Sequence, residues 1–274
     1  MLKRFGLLLL AFGLVAGPVQ AQVGADLNIS PKRVVFGPGE RSATVYVFNQ
    51  GDDEATYTVE LVDRVMLPDG QILPAADRPD IAVATASDLV QHTPRRVTLG
   101  PRQSQAIRVR ARPAGADGRE YRTHLTVTAL PPETSGFTAE QAAAAGQGEV
   151  ALQVVALFSV SIPVIVRDGT PDARAGLANL AIESLEGGQA LALDIERLGA
   201  NSVYGDIEVR VGDDPAGPVL TAVRGVAVYP EIERRRVVAA LPQPLQRGQV
   251  VTVTYRDDDA RPGEVLATAQ LVAP

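Results

Sequence analysis

From Val150 to Val166 the chain reads Val-Ala-Leu-Gln-Val-Val-Ala-Leu-Phe-Ser-Val-Ser-Ile-Pro-Val-Ile-Val. The even positions Val150, Leu152, Val154, Ala156, Phe158, Val160 and Ile162 are all apolar, while the odd ones include Gln153, Ser159 and Ser161. In an extended chain such alternation places every second side chain on one face, and this run far exceeds the usual strand of ~5 to 6 residues. An internal strand of a long sheet would account for it. Pro163 argues instead for an edge, because proline has no N–H to give to a ladder. A long apolar edge is a pairing surface, which proteins hide unless they use it to exchange a strand with a partner.

The same alternation recurs along the chain, punctuated by Gly, Pro, Asn and Asp. Thr44–Phe48 closes at Asn49-Gln50-Gly51-Asp52, and Thr56–Val62 closes near Pro68-Asp69-Gly70. Further strands are predicted at Ala106–Arg112, Tyr121–Leu130, Leu177–Ser184, Ala190–Leu198, Gly205–Val211, Ala222–Val228, Val250–Tyr255 and Val265–Val272. Many short strands with regular turns and no long amphipathic helix mean an all-β chain of sandwiches or barrels. Gly169-Thr170-Pro171 is the best break, dividing the chain into sandwich-sized segments 22–168 and 169–274. The one helix-like stretch, Thr138–Ala145, lies beside Gly136, Gly146 and Gly148 and reads as a mobile loop.

Residues 1–21 read as a cleaved signal peptide. Lys3 and Arg4 lead into the apolar stretch Phe5–Ala16, then Gly17-Pro18, then Val19-Gln20-Ala21; the apolar run is too short to span a bilayer. Its removal takes two of 26 basic residues and none of 32 acidic ones, moving the net charge from -6 to -8. An acidic exported chain is a poor nucleic-acid binder, and no other stretch is long and apolar enough to span a membrane. Zero cysteines exclude disulfides, thiolate metal sites and a cysteine nucleophile. The two histidines have no partners that suggest a ligand set: His92, beside Thr93-Pro94, reads as a loop residue, and His124 alternates with apolar neighbours on a strand. Asp257-Asp258-Asp259 lacks the spacing of a calcium loop and reads as a solvated turn. Arg234-Arg235-Arg236 reads as a charged sheet edge, with contact to an anion or a partner as the alternative. No nucleophile elbow, Walker or dinucleotide fingerprint occurs, so no enzyme, metal or cofactor is expected.

Two stretches carry a family resemblance. Ile29-Ser30-Pro31-Lys32-Arg33-Val34-Val35-Phe36, followed by Ser42–Asn49, resembles the opening of the PapD-like periplasmic pilus chaperones. So does Arg119-Glu120-Tyr121-Arg122-Thr123-His124-Leu125, running to Leu130-Pro131-Pro132, a loop, and the long strand ending Ile162-Pro163-Val164-Ile165-Val166-Arg167. The resemblance implies two immunoglobulin-like β-sandwich domains in tandem and a chaperone that completes pilus or fimbrial subunits with a donated strand before an outer-membrane usher receives them. It implies a periplasmic location. It also implies that Arg33 binds the subunit's C-terminal carboxylate, and that Leu152, Val154, Ala156 and Phe158 fill the subunit's groove. A guanidinium suits that role because it stays charged and grips a carboxylate through parallel hydrogen bonds.

Family members carry a lysine as second anchor where this chain has Pro163, so Arg122 and Arg167 become candidates for the second cation. The missing lysine and the loop Glu133–Gly148 point to an archaic or atypical subgroup. Self-association through the donor edge between clients is a further expectation. The competing reading is a secreted immunoglobulin-like structural or adhesive module in which the long strand is internal.

Overall fold

The computed structural model describes residues 26–115, 118–131, 157–214 and 217–274. The first strands in chain order are β1 (Leu27–Ser30), β2 (Val34–Phe36), β3 (Ser42–Asn49), β4 (Ala55–Val62), β5 (Arg64–Met66) and β6 (Ile72–Pro74). A 3-10 turn, Ala75–Asp77, precedes β7 (Val90–Thr93), β8 (Arg96–Leu99), β9 (Ser104–Ala111), β10 (Glu120–Ala129) and β11 (Ser159–Arg167). The second half holds β12 (Ala175–Leu185), β13 (Gly188–Arg197), β14 (Val203–Val211), β15 (Val219–Val228), β16 (Arg234–Ala240), β17 (Val250–Asp257) and β18 (Val265–Val272).

These strands build two immunoglobulin-like β-sandwich domains in tandem. In the first, the sheet β1-β3-β9-β7 faces the sheet β2-β11-β10-β4-β8. The alternating residues Val45, Val47, Ile107 and Val109 meet Tyr57, Val59, Leu125, Val127, Ile162 and Val164 in one core. In the second, β12-β13-β16 packs on β15-β14-β17-β18, and Leu191, Leu193 and Ile195 meet Ile207, Val209, Val251, Val253 and Tyr255.

The two sandwiches also share apolar surface. Met66 and Ile72, on the hairpin β5–β6, pack with the core of the second domain, and so do Val35 of β2 and Ile165 of β11. The hairpin turns at Pro68-Asp69-Gly70, where Gly70 adopts φ +87, and the Pro68 carbonyl accepts the Arg236 N–H at 2.8 Å. A β-turn signal that looked like the end of a strand is therefore the tip of a clamp on edge strand β16.

One expectation changes here. The edge expected at Pro163 is partial along β11, which is paired antiparallel with β10 along its length and from Val164 to Val166, just beyond Pro163, also runs parallel to β2. Over Ser159–Pro163 no strand pairs with β11 on that second side among the described residues, although β1 passes close by. His92 is not in a loop but in β7, with Nε2 2.8 Å from the Val59 carbonyl oxygen. The helix-like stretch Thr138–Ala145 and the first half of the long alternating run lie outside the described residues.

Strand β14 contains a glycine fixed by close approach. A Cβ on Gly205 would lie 1.8 Å from the Arg256 carbonyl oxygen of neighbouring β17, a backbone atom that cannot step aside. Gly188, in β13, has nothing within 4 Å of the same position. Gly205→Ala should therefore cost about 1–3 kcal/mol or more, and Gly188→Ala should be close to neutral. Urea midpoints of the two variants, at unchanged slope, measure the contrast.

Candidate functional site

Both faces of β10 are buried, for different reasons. Leu125, Val127 and Ala129 point into the core of the first sandwich. Glu120, Arg122 and His124 occupy the other face, opposite Arg167, Ile165 and Pro163 of β11, and are covered by the second domain. Arg33 immediately precedes β2, whose first paired residue is Val34 opposite Val164. The register thus gathers Arg33, Arg122 and Arg167 on one buried sheet face.

Their charges are matched across the domain interface. Arg33 Nη2 donates to Asp259 Oδ2 at 3.0 Å, and its guanidinium lies 4.6 Å from the centre of the Tyr204 ring. Arg167 donates through Nε to Glu120 Oε2 at 2.9 Å, through Nη1 to Asp259 Oδ2 at 2.8 Å and through Nη2 to Ser202 Oγ at 2.9 Å. The Ser202 hydroxyl and N–H both donate to Glu120 Oε2, at 2.9 and 3.0 Å. Arg122 grips Glu231 through two bonds of 3.1 and 2.6 Å and stacks 3.6 Å from the Tyr229 ring centre. Glu231 also accepts the Met66 N–H at 2.7 Å, which ties the hairpin into the network.

The three arginines differ in what remains free. Arg167 has all three nitrogens engaged, and Arg122 both terminal ones. Arg33 keeps Nε and Nη1 buried without a partner among the described residues. Burial would raise the Asp259 carboxyl, but Arg33 and Arg167 more than offset it and hold that carboxyl below its ordinary value. Burial likewise would lower Arg167, and Glu120 with Asp259 reverse the direction.

Several of these partners were invisible in the sequence. Asp257-Asp258-Asp259 is a solvated turn only at Asp258: Asp257 is buried, accepts the N–H groups of Asp259 and Arg261 at 2.9 and 2.7 Å, and so aims Asp259 at the two arginines. Arg122 and Arg167 are interior, with side chains 3% and 4% exposed. Arg234–Arg236 open edge strand β16, where Arg236 pairs with Glu183 and Arg235 donates to the Ala227 carbonyl at 3.0 Å. The alternation Glu120, Arg122, His124 was the one available signal of a second buried face on β10.

Of the expected donor residues, Phe158 is half-buried and its carbonyl accepts the Ala129 N–H at 2.9 Å, next to exposed Leu157. Leu152, Val154 and Ala156 lie outside the described residues. The interface opens into a cleft of about 720 Å³ beside Arg167 and Asp259 and another of about 300 Å³ beside Glu120 and Arg122. Among the described residues no helix is long and apolar enough to cross a membrane.

No family model matches the sequence, and no curated protein matches it. Solved structures similar to it include the YadV chaperone, at 14% identity and TM-score 0.44, over 90% of this chain and 99% of that one. A chain of the Salmonella enterica SafA pilin–SafB chaperone complex shares 17% identity at TM-score 0.42, over 90% and 95%. A chain of the archaic CsuC–CsuE chaperone–subunit complex of Acinetobacter baumannii shares 11% at 0.45, over 91% and 100%. Scores below 0.5 leave the functional reading to the residues themselves.

His124 sits edge-on to Tyr229, 6.4 Å between ring centres, with Nδ1 buried and unpartnered among the described residues. Burial first, then Arg122, Arg64 and Arg33, push its pKa from 6.5 down to about 3. The unfolded chain binds the proton more readily, so the contribution of His124 is complete above pH 6.5 and is lost as pH falls toward 3. The slope approaches ~1.4 kcal/mol per pH unit. His92 is lowered too, mainly by burial, and adds in the same direction. Urea stability measured from pH 6.5 to 5 should decline in the wild type and decline markedly less in His124→Gln. An identical slope would show that His124 is protonated in the fold.

Proposed function

We propose that this chain is a periplasmic chaperone for pilus or fimbrial subunits. It completes a subunit's sandwich by lending a strand, fixes the subunit's terminal carboxylate at Arg33, and hands the subunit to an outer-membrane usher. In this reading residues 1–21 are the export signal, 22–168 form the domain that lends the strand, and 169–274 form the second sandwich.

One observation carries the reading: Arg33, with unused donors, lies at the end of an open strand edge. From Val164 to Val166 β2 pairs with that side of β11; over Ser159–Pro163 no strand pairs with it among the described residues. A strand entering there in the direction of β2 would run parallel to β11 and stop at Arg33, its carboxylate beside Nη1. Charge-assisted bonds would fix its end and ladder bonds its length. The side-chain row supports the same picture. Val160 and Ile162 face the first core, and by parity Leu152, Val154, Ala156 and Phe158 continue their row toward the subunit. A sandwich lacking one strand exposes unpaired backbone groups and apolar core, and the lent strand covers both.

Arg122 and Arg167 are assigned a supporting role. Arg167 has every nitrogen engaged by Glu120, Asp259 and Ser202, and both terminal nitrogens of Arg122 are held by Glu231, leaving only its Nε without a partner among the described residues, so they hold the face on which Arg33 stands.

Arg33→Ala should abolish capture of a co-expressed subunit, measured as a stoichiometric complex, while thermal unfolding stays cooperative because Arg167 still neutralises Asp259. Undiminished capture removes the anchor. Amide exchange gives an independent check: Leu152–Phe158 should exchange readily in the free protein and become protected with subunit bound. Full protection in the free protein would favour the secreted structural module.

A further inference from the structure

Strand β9 carries its charge on one face. Ile107 and Val109 are buried in the first core, so Arg108 and Arg110 point outward, and Arg112 continues their row just beyond the strand. All three are exposed. Their neighbours across the sheet are neutral: Ser42 of β3 and Gln91 of β7 flank Arg110, and Thr44 and Thr93 flank Arg108. Opposite charges are the favourable occupants of such cross-strand positions, and here there are none.

Among the described residues Arg108 and Arg110 make no hydrogen bond or ion pair, and Arg112 donates only to the Asp88 carbonyl. Elsewhere on the surface Arg102 is paired with Asp52, Arg174 with Asp172 and Arg261 with Glu264. The whole chain has a net charge of -6, so three unpaired cations in one row are a local reversal of sign.

Two features give the row more than solvation. Between Ser42, Gln91, Arg110 and Arg112 the surface sinks into a hollow of about 410 Å³ with no carboxylate in its lining. Two guanidiniums, a hydroxyl and a carboxamide offer donors there, and a guanidinium can grip a carboxylate through two parallel bonds. The second feature is spacing. Side chains two residues apart on a strand repeat every ~6.6 to 6.8 Å, and an extended partner chain repeats at the same interval. Carboxylates on its alternate residues would meet Arg108, Arg110 and Arg112 in step.

We infer that the outer face of β3-β9-β7 is a docking surface for an extended acidic segment of a partner protein, with one carboxylate seated between Arg110 and Arg112 and the next over Arg108. A single row of cations between neutral flanks selects a chain of fixed interval; a fluid anionic bilayer has no interval to match. This sheet is the one opposite the sheet that contains β2 and β11, so the surface is separate from the edge at Arg33.

The test is titration calorimetry at low salt with a peptide of alternating glutamate and threonine, acetylated and amidated so that it has no terminal carboxylate. Its controls are the glutamine–threonine peptide and a peptide of the same composition with its glutamates in one block. Wild-type protein should bind the alternating acidic peptide about tenfold more tightly than the glutamine peptide, as a few exposed ion pairs allow, and should lose that preference in concentrated salt. Arg108→Gln combined with Arg110→Gln should abolish the preference. Arg247→Gln, at an exposed arginine of the second domain, should leave it unchanged. Equal affinity for the acidic and glutamine peptides, or an equal loss in Arg247→Gln, overturns the inference. Equal affinity for the alternating and block peptides overturns it too, because charge without spacing would then suffice. Phosphatidylglycerol vesicles bound through the same arginines, with no preference among the peptides, would assign the face to a membrane instead. Should the double variant lose its unfolding transition, Arg110→Gln alone decides, an undiminished preference counting against the inference.

Discussion

The Asp259 carboxylate is the joint on which the two domains turn. Its Oδ2 accepts from Arg33 and Arg167 at 3.0 and 2.8 Å, so one oxygen of the second domain meets two cations of the first. Ion pairs at exposed surfaces contribute little, because water competes and salt screens them. Here the side chains are 4% to 10% exposed, and losing any partner would strand a buried charge. The network is therefore weak evidence for high stability and strong evidence for a fixed relative orientation of the two sandwiches. Arg122 and Glu231 repeat the device nearby, and the hairpin β5–β6 adds an apolar contact through Met66.

That orientation follows from one property of strands. Alternation assigns the side chains of β10 and β11 to two faces, and in this chain both faces have work. One closes the first core with Leu125, Val127, Ile162 and Val164. The other presents Glu120, Arg122, His124, Ile165 and Arg167 to the second domain. A slip of register by one residue would exchange the two sets, placing charges in an apolar core, so the pairing is strongly specified. His124 stays uncharged in this setting, since burial and the surrounding guanidiniums both oppose its proton.

The strands were legible because alternation is local: β3, β4, β10, β13, β14 and β18 fall within a residue or two of where the pattern places them. Arg33 was placed by resemblance, and the structure gives it neighbours that no local pattern could. Asp259 is 226 residues from Arg33 in sequence, and Glu231 is 109 from Arg122. Three adjacent aspartates look alike in sequence; the turn sends Asp258 to solvent and Asp259 to the interface. The hairpin was missed because its strands are too short for a period to register, and His92 because Thr93-Pro94 resembles a loop.

In the proposed function, strand lending would depend on a rigid interface. A strand added to an edge gains ladder bonds only if the edge is already extended and in register, since ordering it on binding would consume the gain. β11 meets that condition at its lower end: from Val164 to Arg167 it is held by β10, by β2 and by the ion pairs of Arg167. From Ser159 to Pro163 β10 is its only paired strand among the described residues, so the same strand passes from paired on both sides to paired on one within its own length. Pro163 marks that change. It lacks an N–H just where the neighbour on the second side begins, which ends the β2 ladder without leaving a buried donor unpaired. The charge beside it belongs to Arg33, whose Nη2 is fixed by Asp259 at 3.0 Å; under the proposed function that is where an incoming strand would end.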